Sequence, residues 1–469
     1  MNLALHEDWM QNFTFDELSV GQGATIVRSL TDADIAGFAA VSGDFNPTHL
    51  NDDYARGAGL SGKTAHGMWS GALISTMLGT VFPGPGTLYI EQRMRFLAAA
   101  RAGDRLEIAV RVKALDATTH EVTLDCVVRR QDGPELMVGE AVVKAPTSKQ
   151  RVPRANGLRW HVFDAAAGVQ RLLDSALALG RLRCAIVHPC DSESLRGALE
   201  AGLHGLFTPV IVAPRDRVLA VAQEAELDLD GIEIVDVPHS HAAAERAAEL
   251  AALDQVQALM KGSLHTDELM KAVLMRPELR TKRRLSHVFR FDVPMYHKPL
   301  LVTDAALNIE PTLDEKVDIV QNAIDFARIL GCAQPKVAVL AAVETVNPRM
   351  ACTIDAAALC KMAERGQITG GLLDGPLAFD NAISLEAARI KKISSPVAGD
   401  PDILMVPDLV SGNILAKQLE YLGGAMGSGI VLGARVPIAL TSRADGATAR
   451  LASAALAVLV AHHNRQAKT

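Results

Sequence analysis

Two different periodicities divide this chain, and they constrain its fold more than any other feature. Four segments between residues 88 and 145 alternate apolar and polar side chains with a period of two, which predicts adjacent antiparallel strands. Beyond residue 160, short apolar runs alternate with helical stretches, and this β-α-β order predicts a parallel sheet with helices on both faces. The segment between these two regions, APTSKQRVPRANGLRW, contains two prolines, a glycine and four basic residues, which predicts a linker.

These patterns predict two folded regions. A chain of 469 residues has the length for more than one hydrophobic core. We expect an α+β domain over residues 1–145, with helices at 31–42 and 67–80, and a linker over 146–159. Residues 160–469 are expected to form an α/β region with parallel sheets, in two subdomains.

Composition excludes several classes of function. The net charge is -7 and the basic residues are spread along the chain, so no nucleic-acid partner is expected. The six cysteines show no CxxC pair and no metal-like spacing with histidine, which indicates reduced thiols, a cytoplasmic location and no metal site. No export signal is visible at the N-terminus. The apolar segment ARLASAALAVLVAHH is shorter than a bilayer span, so we expect a buried helix and no membrane partner.

The first candidate site follows the helix predicted at 31–42. Thr31 is a plausible N-cap, with Asp34 in a capping-box position, and the helix should end near Ser42-Gly43. The next residues, DFNPTH, hold Asp44 and His49 on a turn stiffened by proline.

A carboxylate and an imidazole on one turn can orient a water for general acid–base addition. The same pattern also fits a surface turn in which Asp44 caps backbone amides. Asn46 lies between the two residues and is a candidate for substrate binding.

A second candidate feature is the start of the helix predicted at 67–80. Gly67 would place a backbone N–H at the positive end of the helix, where it can stabilise the enolate-like oxygen of a thioester. Gly67 could instead serve close packing of the helix on a sheet, and Ser75 could be an ordinary surface hydroxyl.

Three segments in this order resemble the MaoC-like (R)-specific enoyl-CoA hydratases over about residues 10–145. They are GDFNPTHLNDDYA, TAHGMWSGALIS and LYIEQRMRFLAAARAGDRL. The resemblance implies a hot-dog fold, in which an antiparallel sheet wraps a long central helix, with the site at a dimer interface. It further implies that Asp44 and His49 form the catalytic dyad, with Gly67 as oxyanion donor and Ser75 as a supporting polar residue. The reaction would be reversible hydration of a trans-2-enoyl-CoA without metal or redox cofactor.

The C-terminal region carries polar residues at the ends of predicted parallel strands, where open α/β sheets bind ligands. A strand-end acid is also a common helix N-cap, so each residue is weak evidence alone. The candidates for lining a substrate cleft are Asp304, Glu344, Asn347 and Asp374.

Two further segments indicate an anionic ligand. Lys261, Gly262 and Thr266 bring a cation, an exposed backbone and a hydroxyl before a helix, which suits a phosphate, although the spacing is not that of an ATP-binding loop. Ser442 and Arg443 end a predicted strand before a long helix, where a guanidinium can clamp a phosphate or polarise a carbonyl.

Over about residues 160–469 the chain resembles the phosphate acetyl/butyryltransferases. The segments that carry this resemblance include KPLLVTDAALNIEPTLDEKVDIVQNAIDFA, GQITGGLLDGPLAFDNAIS and GIVLGARVPIALTSRADG. The resemblance implies an isocitrate dehydrogenase-like fold of two α/β subdomains, and acyl transfer between CoA and inorganic phosphate. Ser442 and Arg443 would stabilise the acyl-phosphate centre. The acid expected shortly after them is replaced by Ala449, and Asp445 is the substitute candidate for the base.

Together the two resemblances imply a bifunctional enzyme whose substrates are CoA thioesters and phosphate, with no tightly bound cofactor. We expect a homodimer or a higher homo-oligomer, because hot-dog sites form between subunits. Two alternatives remain. The C-terminal region could be a non-catalytic module that binds CoA or phosphate, or the hot-dog domain could act as a thioesterase.

Overall fold

A computed structural model of the chain describes residues 9–153, 163, 165–441 and 446–466. The chain divides into two compact units between Phe163 and Asp164. They are called the N-terminal and C-terminal units here, and each is described by itself.

The N-terminal unit wraps an antiparallel sheet around a helix. Its strands are β1 Trp9–Gln11, β2 Gly23–Ser29, β3 Leu88–Phe96, β4 Arg105–Asp116, β5 Glu121–Arg130, β6 Glu135–Lys144 and β7 Arg151–Pro153. Its helices are α1 Asp32–Ser42, α2 Pro47–Leu50, α3 Asp52–Gly57 and α4 Gly67–Thr80, with a 3-10 turn at Phe15–Glu17. Five strands form one antiparallel sheet in the order β2-β4-β5-β6-β3, and β1 pairs separately with β7 inside the expected linker. The expected hot-dog fold is therefore confirmed.

The central helix α4 provides much of the core of this unit. It buries Trp69, Leu73, Ile74 and Met77 among the inward-facing residues of the sheet. Because strand residues alternate between the two faces of a sheet, β4 and β5 each contribute every second side chain to this core.

Local signals fix the boundaries of α1. The Thr31 side chain accepts a hydrogen bond from the Asp34 backbone N–H, and the Asp34 carboxylate accepts one from the Thr31 backbone N–H. The predicted capping box therefore forms. Gly43 ends the helix in the left-handed conformation with φ 75°. Strand β2 is absent from the sequence-based expectation, although Ala24 and Ile26 alternate into the core.

The C-terminal unit is a large α/β unit. Its strands are β8 Leu182–Val187, β9 Phe207–Ala213, β10 Glu233–Asp236, β11 Ala258–Lys261, β12 Ser286–Asp292, β13 Leu300–Thr303, β14 Lys336–Leu340, β15 Leu372–Leu377, β16 Ile403–Met405, β17 Met426–Leu432 and β18 Ile438–Ala439. Its helices are α5 Ala165–Leu177, α6 Ser192–Leu203, α7 Arg215–Glu224, α8 Ser240–Ala252, α9 Thr266–Leu274, α10 Leu313–Ile329, α11 Ala351–Glu364, α12 Phe379–Ile383, α13 Leu385–Ile390, α14 Leu409–Tyr421 and α15 Ala447–Gln466, with a 3-10 turn at Pro277–Leu279.

All eleven strands of this unit form one mixed sheet. Its order is β10-β9-β8-β11-β18-β17-β12-β13-β16-β14-β15. The first five strands are mutually parallel, and so are the last four. Between these blocks β17 and β12 pair antiparallel with each other and with their outer neighbours. The β-α-β pattern predicts a parallel sheet, whereas the observed sheet is mixed. Its two parallel blocks match the two expected subdomains.

The antiparallel strands reverse the direction of the sheet. Three antiparallel pairings separate β18 from β13, so the strands of the two blocks run in opposite directions. Because of this reversal, the carboxyl ends of the first block and those of the second lie at opposite edges of the sheet.

The last helix, α15, is a core element. Every residue from Arg450 to Ala461 is buried, in agreement with the expectation of a buried helix. Among the described residues, no helix is both long enough and apolar enough to span a bilayer.

Candidate functional site

The turn after α1 presents Asp44 to solvent. Its carboxylate accepts a hydrogen bond from the Asn46 backbone at 3.2 Å, which tightens the turn. Asn46 caps α2, because its side-chain oxygen accepts the Thr48 N–H at 3.1 Å. His49 therefore lies on a one-turn helix rather than in a loop.

His49 is oriented by the main chain. Its Nδ1 lies 2.8 Å from the carbonyl oxygen of Thr64, and since a carbonyl only accepts, Nδ1 is the protonated nitrogen. The Nε2 of the neutral ring is then unprotonated and able to accept a proton. This is the tautomer that a general base requires.

His66 is a third polar residue at this site, and sequence reasoning gave it no role. It is the buried N-cap residue of α4, and its Nε2 lies 2.9 Å from the carbonyl oxygen of Asp44. Its ring stacks on that of His49, with centroids 3.8 Å apart and planes inclined by 34°. The signal available in the sequence was a histidine, rather than a common capping residue, at the predicted start of the helix.

The N-terminus of α4 opens beside these residues. Gly67 is exposed, and no side chain caps the helix. A cavity of about 330 Å³ lies here, lined by Ala65, His66, Gly67, Ser70 and residues 96–100. The first backbone N–H groups of the helix are thus available to an oxyanion. Ser75 is exposed on the helix and does not line this cavity, so its supporting role stays a prediction.

Asp44, His49 and His66 also resemble a metal-ligand set. One donor atom from each lies within 4.8 Å of the others. However, an imidazole binds a metal through a lone pair in the plane of its ring, and two rings tilted by 34° with centroids only 3.8 Å apart do not direct such lone pairs to one nearby point. The arrangement favours acid–base chemistry over metal binding.

In the C-terminal unit, the ends of β8, β11 and β18 lie side by side. Strand β11 pairs parallel with both neighbours, so the segment after Lys261 lies between the segment after Val187 and Thr441. The segment after Lys261, one of the two phosphate-binding segments expected from the sequence, therefore meets the end of β18 at Thr441. Lys261 is buried there, and Thr266 begins α9.

Gly262 permits a close approach of the backbone at this edge. A Cβ at this position would lie 2.6 Å from the carbonyl oxygens of Val187 and His188. Its N–H donates to the Val187 carbonyl at 2.9 Å, which joins the ends of β8 and β11. Only glycine fits here without displacing backbone.

Three residues that the sequence did not single out surround this point. His188 has φ 55°, and Ser263 donates from its hydroxyl to the His188 carbonyl at 2.9 Å. Burial lowers the pKa of His188, and the nearby Arg217 lowers it further, so the ring is neutral near pH 7. Burial raises the pKa of Asp191, but hydrogen bonds from Ser194 and Ser263 and the charge of Arg450 together outweigh that effect and leave the pKa below its usual value.

The segment after β18 completes this edge. Thr441 accepts a hydrogen bond at 2.9 Å from the guanidinium of Arg450, which is buried in α15. Ser442, Arg443 and Asp445, the residues expected to act on the acyl-phosphate centre, lie outside the described residues. Ala449 is on the first turn of α15 and offers a methyl group where the related acid was expected.

The remaining candidates belong to the second parallel block, where Asp304, Glu344 and Asn347 follow strands. Their edge is opposite to that of Lys261, so the sheet does not bring the two groups together. Asp304 is buried, and its carboxylate accepts hydrogen bonds from the backbones of His287 and Leu307 and from the Asn308 side chain.

The other three candidates of this group also have partners within the unit. Glu344 pairs with Lys391 at 3.1 Å, and Asn347 accepts the backbone N–H of Arg349. Asp374 lies inside β15 rather than after a strand, and accepts the backbone N–H of Gly375. Their place in a substrate cleft stays a prediction.

Comparisons with known proteins agree with this architecture. Residues 240–458 match the family model described as "Phosphate acetyl/butaryl transferase", and residues 20–129 match the model described as "MaoC like domain". A phosphate acetyltransferase from Rhizobium meliloti is 58% identical over 299 residues, which cover 64% of this chain and 95% of the relative.

Solved structures are similar to both parts. A branched-chain phosphotransacylase from Enterococcus faecalis V583 is 32% identical, with a TM-score of 0.53, covering 60% of this chain and 99% of that one. The R-hydratase PhaJ1 from Pseudomonas aeruginosa is 39% identical, with a TM-score of 0.32, covering 33% of this chain and 99% of that one.

The fold and the family match define the C-terminal unit as an α/β acyltransferase. The chain belongs to the phosphate acetyl/butyryl transferase family, and carries a MaoC-like domain before the transferase domain. The fusion expected from the sequence is therefore confirmed. The chain is a bifunctional enzyme that combines a hydratase with a phosphotransacylase.

Proposed function

We propose that Asp44 and His49 catalyse the reversible hydration of a trans-2-enoyl-CoA to an (R)-3-hydroxyacyl-CoA. One member of the dyad takes a proton from water as the water oxygen bonds to C3, and the other delivers a proton to C2. The Gly67 N–H stabilises the oxygen of the enolate-like intermediate. The observation that supports this proposal is that the uncapped N-terminus of α4 and the oriented imidazole of His49 lie beside the carboxylate of Asp44.

For the C-terminal unit we propose acyl transfer between CoA and inorganic phosphate at the edge formed by β8, β11 and β18. Lys261 and the N–H groups at the start of α9 would neutralise the phosphate. Ser442 and Arg443, which follow β18 directly, would stabilise the acyl centre during direct attack. Acetyl and butyryl groups are the proposed acyl classes, since both occur in the names of relatives. No tightly bound cofactor is required, because thioester and acyl phosphate are both activated.

We further propose a homodimer formed through the N-terminal unit. Strand β3 is an edge strand of the five-stranded sheet, and Leu88, Ile90 and Phe96 on it are about half exposed. An exposed apolar edge strand is a ready template for pairing with a second copy. The proposed domain boundaries are 1–145 and 160–469, and the division of the chain at Phe163/Asp164 supports them.

The first experiment tests the dyad. Crotonyl-CoA hydration is followed by the loss of enoyl thioester absorbance, with Asp44→Asn compared with Asp53→Asn, a matched change at an exposed carboxylate on α3. We expect Asp44→Asn to lose about a hundredfold or more in kcat, since acid–base groups contribute that much, while Asp53→Asn is unaffected. Full activity in Asp44→Asn contradicts the assignment. Release of free CoA from crotonyl-CoA in a buffer without phosphate or arsenate would instead identify a thioesterase.

The second experiment tests the transferase. The apolar Ala449 favours one other candidate, a module that binds CoA or phosphate without turnover. Arsenolysis of acetyl-CoA and butyryl-CoA separates the two, because a binding module releases no CoA. We expect turnover that falls sharply in Lys261→Met and not in Lys361→Met, a change at an exposed lysine of α11. Tight CoA binding without arsenolysis would favour the module.

A further inference from the structure

The imidazole of His66 lies where the three parts of the hydratase site meet. It precedes Gly67, contacts the main chain of Asp44 and stacks on the ring of His49. Only 3% of its surface is exposed, so its position is set by packing inside the unit.

The hydrogen bonds of His66 fix its protonation. The carbonyl oxygen of Asp44 can only accept, so Nε2 of His66 carries the proton in that bond. The other nitrogen, Nδ1, is buried and makes no hydrogen bond within the described residues. The contact that His66 makes through Nε2 therefore holds the main chain of Asp44.

The second contact of His66 is between its ring and the ring of His49. His49 is anchored at Nδ1 by the Thr64 carbonyl, but a single hydrogen bond leaves its ring free to rotate about that bond. The face of His66, 3.8 Å away, fixes the plane of the ring and hence the direction of Nε2.

We infer that His66 is the positioning residue of the hydratase site, with two separable contributions. Its Nε2–H holds the backbone of Asp44, and its ring face orients His49. This inference rests on the proposed function of the dyad. It assigns no proton transfer to His66.

Two substitutions separate these contributions. His66→Gln retains an amide N–H near the position of Nε2 but removes the ring face, whereas His66→Phe retains a ring but removes the donor. Phe38→Leu is the packing control, because the Phe38 ring lies 5.1 Å from that of His66 on the side of α1. The transferase activity of the same polypeptide reports the amount of folded protein.

Steady-state hydration of crotonyl-CoA is measured across pH. We expect kcat to fall about a hundredfold in both His66 variants, because small misplacements of reacting groups cost that much, with KM little changed. Phe38→Leu should retain wild-type kcat.

The outcomes distinguish this inference from the proposed function. Wild-type kcat in both His66 variants would overturn the positioning role and leave the dyad intact. An equal loss in Phe38→Leu would also overturn it, because general packing would then explain the effect. A wild-type enzyme that does not hydrate crotonyl-CoA would refute the proposed function, and this inference with it.

Discussion

His287 should make the C-terminal unit sensitive to mild acid. The ring is fully buried in β12, and neither of its nitrogens makes a hydrogen bond within the described residues. Burial lowers the pKa of His287 to about 4, with the charge of Asp304 acting in the opposite direction. An unfolded chain would titrate the same ring near its ordinary value of about 6.5.

The sign and size of the effect follow from these two values. Above about pH 6.5 the ring is neutral in both states, and His287 adds no pH dependence. Between about pH 6.5 and pH 4 the unfolded state binds more protons, so the free energy of unfolding falls as the pH falls. At about pH 5 the free energy of unfolding is about 2 kcal/mol lower than at pH 7.5, which corresponds to about a thirtyfold increase in the unfolded population.

Hydrogen exchange measured by mass spectrometry can test this effect locally. Peptides covering β12 are followed in the full-length protein at about pH 7.5 and pH 5, after correction for intrinsic exchange. His287→Gln removes the titrating group, and His204→Gln changes an exposed histidine of the same unit as a control. We expect protection to fall with pH in the wild type and in His204→Gln, but much less in His287→Gln. Parallel losses in all three proteins would refute the reasoning.

The remaining predictions concern the C-terminal unit. Gly262→Ala places a Cβ 2.6 Å from two carbonyl oxygens, so we expect arsenolysis to be lost while crotonyl-CoA hydration by the same protein continues; loss of both activities would indicate unfolding instead. Asp292→Asn breaks the buried pair with Arg290 and should cost about 3 to 5 kcal/mol, measured by chemical denaturation. Replacing both partners by apolar residues should recover much of that loss, and no recovery would contradict the explanation.

The parts of the fold that could be predicted from sequence are those specified by neighbouring residues. The capping box of Thr31 and Asp34 and the left-handed Gly43 fix α1 at the predicted residues. The alternation in β4, β5 and β6 predicts their antiparallel sheet. These signals act over a few residues, so a single sequence contains them in full.

The sequence does not indicate that β12 and β17 run antiparallel to their neighbours. Both strands are largely buried, as a parallel strand inside a sheet would be, and periodicity does not encode the direction of a partner. The role of His66 was missed for a related reason. Its contacts to Asp44 and His49 exist only after α1, α2 and α4 have packed together.

The reversal of the sheet also changes which residues can act together in the transferase. The rule that ligands bind at the carboxyl ends of parallel strands holds within one block, because those ends share an edge. Applied across both blocks, it groups Lys261 with Asp304, whose strands end at opposite edges. The hydrogen bond that Asp304 accepts from the His287 backbone joins the end of β13 to β12. We therefore propose that acyl transfer takes place where β11 and β18 end, near Lys261 and Thr441.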